Sequence, residues 1–449
     1  MPTKPQVRTL TNSSADVLNA IRNNASINYQ NRVPIATPDS DSIREIGAVI
    51  MDFPALQNEF LNALINRIGR VIVTSKSYSN PLAMFKKGFL EFGEVVAEYF
   101  VKLANPFQYD PAVAETELFK RVTPDVESAF HVMNYQKFYK DTIQRRDLEQ
   151  AFLSIDGVTD FITRIIEQMY TAMEYDEFLV MKYLIARMAS KGQIAVREID
   201  VQNIENSTIT MRKISNDLTF MNPKHNLAGV RTHTLRNDQY VIINTLFDAT
   251  QSVKNLARAF HMDEATFLGH VVLVDGFGHL DIERLNELLG GDPNYYEYGE
   301  DELTALDEIP ALVVDRDWFM IFDKLQEFRE VENVQGLYWN YFLHTWKIIS
   351  ISPFAQAVLM VPGEPTVTSV TIAPDAITIK AGQSATLGVT VETTNFAPQA
   401  VDWSSNNELV TVTDAGVVKV DKTASGTATI TAKSKFDPTK TDTCTVTIN

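Results

Sequence analysis

The stretch VTDFITRIIEQMYTAMEYDEFLVMKYLIARMASKG, Val158 to Gly192, carries Val158, Phe161, Ile162, Ile165, Ile166, Met169, Met173, Val180, Leu184 and Met188. Steps of three and four residues place these side chains on one face of a helix. The pattern continues without proline over 158–190 and meets Gly192, a residue suited to the left-handed backbone of a helix end. At about 1.5 Å per residue this is a rod of about 50 Å, several-fold longer than the average globular helix of ~11–12 residues. The spacing predicts an architectural spine, with the rest of a domain arranged around it.

Before the spine the character of the chain is different. Residues 1–48 are polar and hold six asparagines in the first 31 positions. SSADVLNAIRN (Ser13 to Asn23) suits a short serine-capped helix, and the prolines of NRVPIATPDSDS (Asn31 to Ser42) favour extended chain. An arm of this composition builds no core of its own and must lie on something else or stay mobile. FPALQNEFLNALINRIG (Phe53 to Gly69) has helical spacing at Leu56, Phe60, Leu64 and Ile68. The stretch after it, Arg70 to Leu103, reads as strands about a loop containing proline and glycine.

After the spine, residues 195 to about 360 mix short strands and helices. VPGEPTV (Val361 to Val367) has the composition of a linker, and the pattern changes there. Pairs such as Val370/Ile372, Val418/Val420, Ala428/Ile430 and Cys444/Val446 alternate with polar residues, so residues 363–449 read as an all-β sandwich with Trp403 as its core aromatic.

Composition bounds the function. The chain has 449 residues and a formal net charge of -17, from 40 Lys and Arg against 57 Asp and Glu. Its length fits two or three domains, and its acidity argues against a dedicated nucleic-acid binder. No apolar run approaches the ~18–20 residues that cross a bilayer, and the first residues lack the apolar core of a secretion signal. The one cysteine, Cys444, excludes a disulfide within the chain and suits a reducing compartment.

Chemistry-bearing motifs are missing. The sequence has no G-x-S-x-G, no phosphate loop, no H-E-x-x-H and no C-x-x-C. GFGHLD (Gly276 to Asp281) has two glycines after a strand, a weak nucleotide signal without its third glycine. The acidic stretch Gly290 to Glu308 lacks the alternation and terminal glutamate of a calcium loop and reads as a solvated surface. The seven histidines are scattered. No catalytic residue, cofactor or metal is expected. In MFKKGF (Met84 to Phe89), Phe85, Lys86, Lys87 and Gly88 are the candidate assembly contacts, with the lysines set to meet the acidic surface of a neighbouring chain. The bland alternative is a loop tip with solvated lysines and a buried Phe85.

Several segments together carry a resemblance. NAIRN (Asn19 to Asn23), VPIAT (Val33 to Thr37), NPLAMFKKG (Asn80 to Gly88) and FLGHVVLVDGF (Phe267 to Phe277) occur in order, with VDRDWFMIFDKL (Val314 to Leu325) and GLYWNYFLHTWKIISISPFAQAVLMV (Gly336 to Val361) the most specific. The chain up to the linker resembles the major capsid proteins of phi29-like short-tailed double-stranded DNA phages. VDWSSN, DAGVV and GTATITA in the tail resemble bacterial Ig-like group 2 domains. The resemblance implies an α+β, HK97-like capsid fold: an arm at 1–48, a shell domain at 49–362 with an extended loop about 70–107 and the spine at 158–190, and an axial domain. An Ig-like domain at 363–449 would follow. It also implies hexamers and pentamers closing a head around double-stranded DNA, held weakly. Scaffolding protein would guide assembly in the host cytoplasm, a portal or connector would occupy one vertex, and no membrane would be involved. The Ig-like domain would face outward on the virion, where a host-surface ligand is a further candidate partner. The rival reading is a phage tail or surface adhesin gripping carbohydrate through that domain.

Overall fold

In the computed structural model the described residues are 14–60, 78–90, 95–110, 119–153, 157–250, 260–261 and 270–449, with the side chains of 147–148 and 157–166 left aside. The spine helix spans Gly157–Ser190. Of its expected apolar face, Val158, Phe161, Ile162, Ile165 and Ile166 lie outside the described side chains. Met169, Met173, Val180 and Met188 are buried and Leu184 is partly buried. The expectation of a single apolar face is corrected along the second half, because every residue from Asp176 to Tyr183 is buried. A helix enclosed on all sides is an interior element. Three ionic residues inside it, Asp176, Glu177 and Lys182, are buried too.

Two sheets pack on the spine. A four-stranded sheet has the order β1 (Lys86–Phe89), β9 (Phe319–Asn333), β10 (Tyr338–Ile351), β4 (Tyr135–Gln144). A five-stranded mixed sheet has the order β5 (Ala195–Glu198), β11 (Ala357–Val361), β8 (Ala311–Asp315), β6 (Gln239–Asn244), β7 (Val271–Val274). Its central strands are apolar over 241–243, 311–314 and 357–361 because both of their faces are covered. Ile242, Leu312, Val314, Leu359 and Val361 join the core beneath the spine. The alternate residues Val241, Ile243, Ala311, Val313, Val358 and Met360 meet Met211, Ile214 and Leu218 of the helix Ile204–Leu218 on the far side.

The polar N-terminal region builds no core of its own and lies on the spine and β10, one of the two outcomes its composition allows. Its helices α1 (Ser14–Asn24), α2 (Ile27–Arg32) and α3 (Ser40–Asp52) bury Leu18, Ile21, Tyr29, Ile43, Ile46 and Ile50, with Val33 just past α2. These join Met169, Tyr170 and Met173 of the spine and Trp339, Tyr341 and Leu343 of β10. The apolar residues are sparse in sequence, yet helical spacing gathers them on one side. The expected helix from Phe53 is present over 54–60, and its remainder lies outside the described residues.

Past Val361 a short linker leads to the β-sandwich, in which β13 (Ala376–Ile379), β20 (Thr441–Ile448), β19 (Gly426–Ser434) and β16 (Val401–Ser405) form the largest sheet. Its core holds Ile372, Leu387, Val418, Ile430, Cys444 and Val446. Trp403 packs at the margin of that core and is only partly buried, lying over Gly416, where a Cβ would come 3.3 Å from the indole.

Candidate assembly surface

At the stretch singled out in the sequence, a short turn (Ala83–Phe85) delivers the chain into β1, which runs parallel to β9. Phe85 is 1% exposed, with its ring 5.0 Å from Phe319 and 5.4 Å from Tyr240. Lys86 Nζ lies 3.0 Å from Glu177 Oε2 and 2.8 Å from Asp323 Oδ2. Lys347 Nζ pairs with Glu177 and lies 3.2 Å from Asp323 Oδ1. Asn80 donates to Glu177 Oε1 at 2.9 Å. Two cations thus face two carboxylates where the extended segment leaves the body.

Electrostatics follow from that arrangement. Burial alone would lower the Lys86 pKa, but Glu177 and Asp323 outweigh it and raise the pKa above the ordinary lysine value. Burial pushes the Asp323 carboxyl up, and the charges of Lys347 and Lys86 overcome this and hold it below the usual carboxylate value. Lys87 pairs with Asp317 of its own chain and donates to the Arg316 carbonyl at 3.3 Å. Gly88 sits at φ +105 with no described atom within 4 Å of a would-be Cβ. The expectation that Phe85 and the lysines meet a neighbour is therefore corrected for Phe85 and Lys86. Both are engaged inside their own subunit. Gly88 and Phe89 are exposed, while Lys87 is partly buried and paired with Asp317 of its own subunit.

The larger exposed surface lies further along. Strands β2 (Val95–Val101) and β3 (Val126–Val132) pair as an antiparallel ribbon, so the returning strand falls beyond the expected loop end near 107. Alternation gives the ribbon two different faces. On the inner face Ser352 Oγ donates to Glu98 Oε1 at 2.7 Å, and His131 lies between Glu98 Oε2 (3.2 Å) and Ser350 Oγ (2.7 Å). Phe100 stacks on Phe354 at 5.5 Å. These contacts leave the outer face to Val95, Tyr99 and Val101 on one strand and Val126, Phe130 and Val132 on the other, with Tyr99 65% and Phe130 62% exposed. A second apolar patch occupies the side of the four-stranded sheet facing away from the spine, uncovered among the described residues. There Phe138, Phe342 and His344 cluster with centroids 5.6–6.4 Å apart and Lys140 lies over Phe342.

Sequence reasoning assigned no role to VESAFHV. The apolar alternation of β3 is legible there, but which face turns outward depends on Ser350 and Ser352, more than 200 residues away in the chain. The nucleotide reading of GFGHLD fails on geometry. A Cβ at Gly278 would sit 1.9 Å from the Leu303 carbonyl, and the Gly278 N–H already donates to Asp307 at 3.2 Å. These glycines admit the helix Glu300–Asp307, which also gives the acidic stretch a packing role. Among the described residues no group of three or more His, Cys, Asp or Glu is placed to hold a metal, and no helix is long and apolar enough to cross a membrane.

Residues 18–361 match the family model of the phi29-like phage major capsid protein. The chain belongs to that family. This phi29-like capsid protein is 35% identical over 435 residues to the major capsid protein of Bacillus phage B103, covering 94% of this chain and 90% of that one. It is 34% identical over 399 residues to the major capsid protein of Bacillus phage PZA, covering 87% and 83%. Its fold is similar to that in the capsid structure of Staphylococcus phage Andhra, with a TM-score of 0.51 at 13% identity over 65% of this chain and 86% of that one. Residues 366–446 match the bacterial Ig-like domain (group 2). The phi29-like capsid protein thus has an HK97-like capsid fold followed by an Ig-like domain, and it is a structural component of the phage head and virion. Proteins of this kind assemble into multimeric shells. The tail or adhesin reading is not favoured, since the match to a head protein covers most of the chain.

Proposed function

We propose that this capsid protein closes its shell through hexamers and pentamers in which the apolar outer face of the β2–β3 ribbon seats on a neighbouring copy. The single observation that supports this is the sidedness of the ribbon. Its polar groups Glu98 and His131 are satisfied within the subunit, while Tyr99, Phe130 and four valines face out. An apolar strip of this kind marks a contact site. In a shell of identical chains each copy carries both the ribbon and the Phe138–Phe342–His344 patch, so a head-to-tail contact repeats around a ring. Lys87, Gly88 and Phe89 lie at the root of the same excursion and extend this surface.

On this reading the role is structural and not enzymatic. Scaffolding protein templates the curvature in the host cytoplasm, and a portal or connector replaces one pentamer. The acidic chain, with a net charge of -17, holds packaged double-stranded DNA only weakly. The Ig-like domain faces outward, where a host-surface ligand can reach it. The test is Tyr99→Asp with Phe130→Asp, expressed with the scaffolding protein of the same phage. Folded subunits by circular dichroism without closed shells by electron microscopy are expected; normal closed heads overturn the proposal.

A further inference from the structure

Between the shell domain and the Ig-like domain lie only Pro362–Pro365, a length that ordinarily permits a lobe to swing. The structure shows a second attachment. The spine ends with Lys191 N–H donating to the Arg187 carbonyl (3.1 Å), Gly192 N–H to Ala189 (2.8 Å) and Gln193 N–H to Met188 (2.9 Å). The Ser190 carbonyl receives its donor from the Ig-like domain, Gln399 Nε2 at 3.1 Å. Gly192, at φ +59, is in such close contact that a Cβ would come 2.7 Å from both the Ala397 carbonyl and the Gln399 nitrogen. Ala397 is fully buried, and Phe396 packs against the core beneath the spine.

The loop that makes these contacts is held in shape. Asn395 and Phe396 both adopt positive φ, which non-glycine residues hold only when their surroundings require it. Asn395 Nδ2 donates to the Glu364 carbonyl at 3.0 Å and ties the loop to the linker. Clefts of about 490 Å³ and about 340 Å³ lie beside the contact.

We infer that the Ig-like domain is a clamp on the end of the spine helix: its 395–399 loop completes the capping of that helix and fixes the lobe's orientation on the shell. The partner surface is the Ser190–Gly192 terminus of the same chain. The lobe then moves with the spine as one body, and any load on the lobe passes into the shell core instead of into a slack linker.

The test is a series at the partly buried Gln399 in the full-length chain, read by hydrogen–deuterium exchange at the last spine turn (residues 187–192). Gln399→Ala removes the donor. Gln399→Glu places a carboxylate against the negative end of the helix, and Gln399→Lys keeps a donor and adds a favourable charge there. The expected order of exchange is Glu fastest, about tenfold above the parent, then Ala, with Lys near the parent, while β19 and β20 keep their protection. A second variant, Phe396→Ala, should also loosen the helix end. A flat Gln399 series, or a helix end that exchanges as slowly in Phe396→Ala as in the parent, overturns the clamp.

Discussion

Replacing Glu177 with Gln tests whether the charge cluster at the root of the extended segment holds the subunit together. Glu177 and Lys347 are almost completely buried, and Lys86 and Asp323 are mostly so. In the parent two cations balance two carboxylates; the variant leaves Lys86 and Lys347 sharing Asp323 alone, a net charge of +1 in the interior. Removing one partner of a buried pair costs ~3–5 kcal/mol. Asp323 still lies 3.2 Å from Lys347 and 2.8 Å from Lys86, and glutamine keeps the shape, so about 3 kcal/mol is expected. At ~2–4 °C per kcal/mol this lowers the melting temperature of the unassembled subunit by roughly 6–12 °C in calorimetry near pH 7. Glu177→Leu combined with Lys347→Met removes one charge of each sign and leaves Lys86–Asp323 as a balanced pair. It should recover most of the loss, because apolar replacement of a complete buried pair is often neutral. A single variant melting within about 2 °C of the parent, or a pair melting below the single, refutes the reasoning. The pH dependence has a defined sign. Asp323 has a depressed pKa, so its contribution is present above the unfolded value of ~3.9 and lost as pH falls through the lower folded one. Lys86 has a raised pKa, so its contribution is full below ~10.4 and lost as pH rises through the higher folded value.

Phe85→Ala should cost the subunit ~3–5 kcal/mol by chemical denaturation, whereas Lys87→Ala, breaking an ion pair with an exposed aspartate, should cost under ~1 kcal/mol; equal losses would contradict the placement of Phe85. Deleting residues 1–40 strips Leu18, Ile21, Tyr29 and Val33 from the core at the first half of the described spine side chains, so the truncated subunit should bind a hydrophobic dye and melt early; parent-like melting would show those residues to be dispensable. In the Ig-like domain, Ile430→Ala should cost ~2–5 kcal/mol, while Trp403→Ala, at the margin of the core, should cost about 2 kcal/mol, measured by exchange in β19 and β20. A lobe that unfolds only with Trp403→Ala would reverse that ranking.

Periodicity was legible wherever a segment's own residues decide its form. The spine from 158 to 190, the break at Val361 to Val367 and the alternating strands of the tail could each be read locally, because helix and strand repeats are properties of consecutive residues. The capsid resemblance was legible in aromatic-rich segments such as VDRDWFMIFDKL. Burial and sidedness were not. Lys86 and Lys87 are adjacent and chemically alike, yet one enters the Glu177–Asp323 cluster and the other pairs at the surface, a distinction made by residues about 90 to 240 positions distant. Tyr99 and Phe100 are both aromatic neighbours on one strand, and contacts of the inner face with Ser350, Ser352 and Phe354 turn the second inward and leave the first outside. The sparse apolar residues of the arm become a core only because the spine and β10 supply the opposing wall. The linker's composition suggested a loose tether, and the lobe is nevertheless held, because Gln399 and Ala397 meet Ser190 and Gly192 across about 200 residues of chain. Local pattern specifies backbone form; the direction each side chain faces depends on partners that only the folded chain brings together.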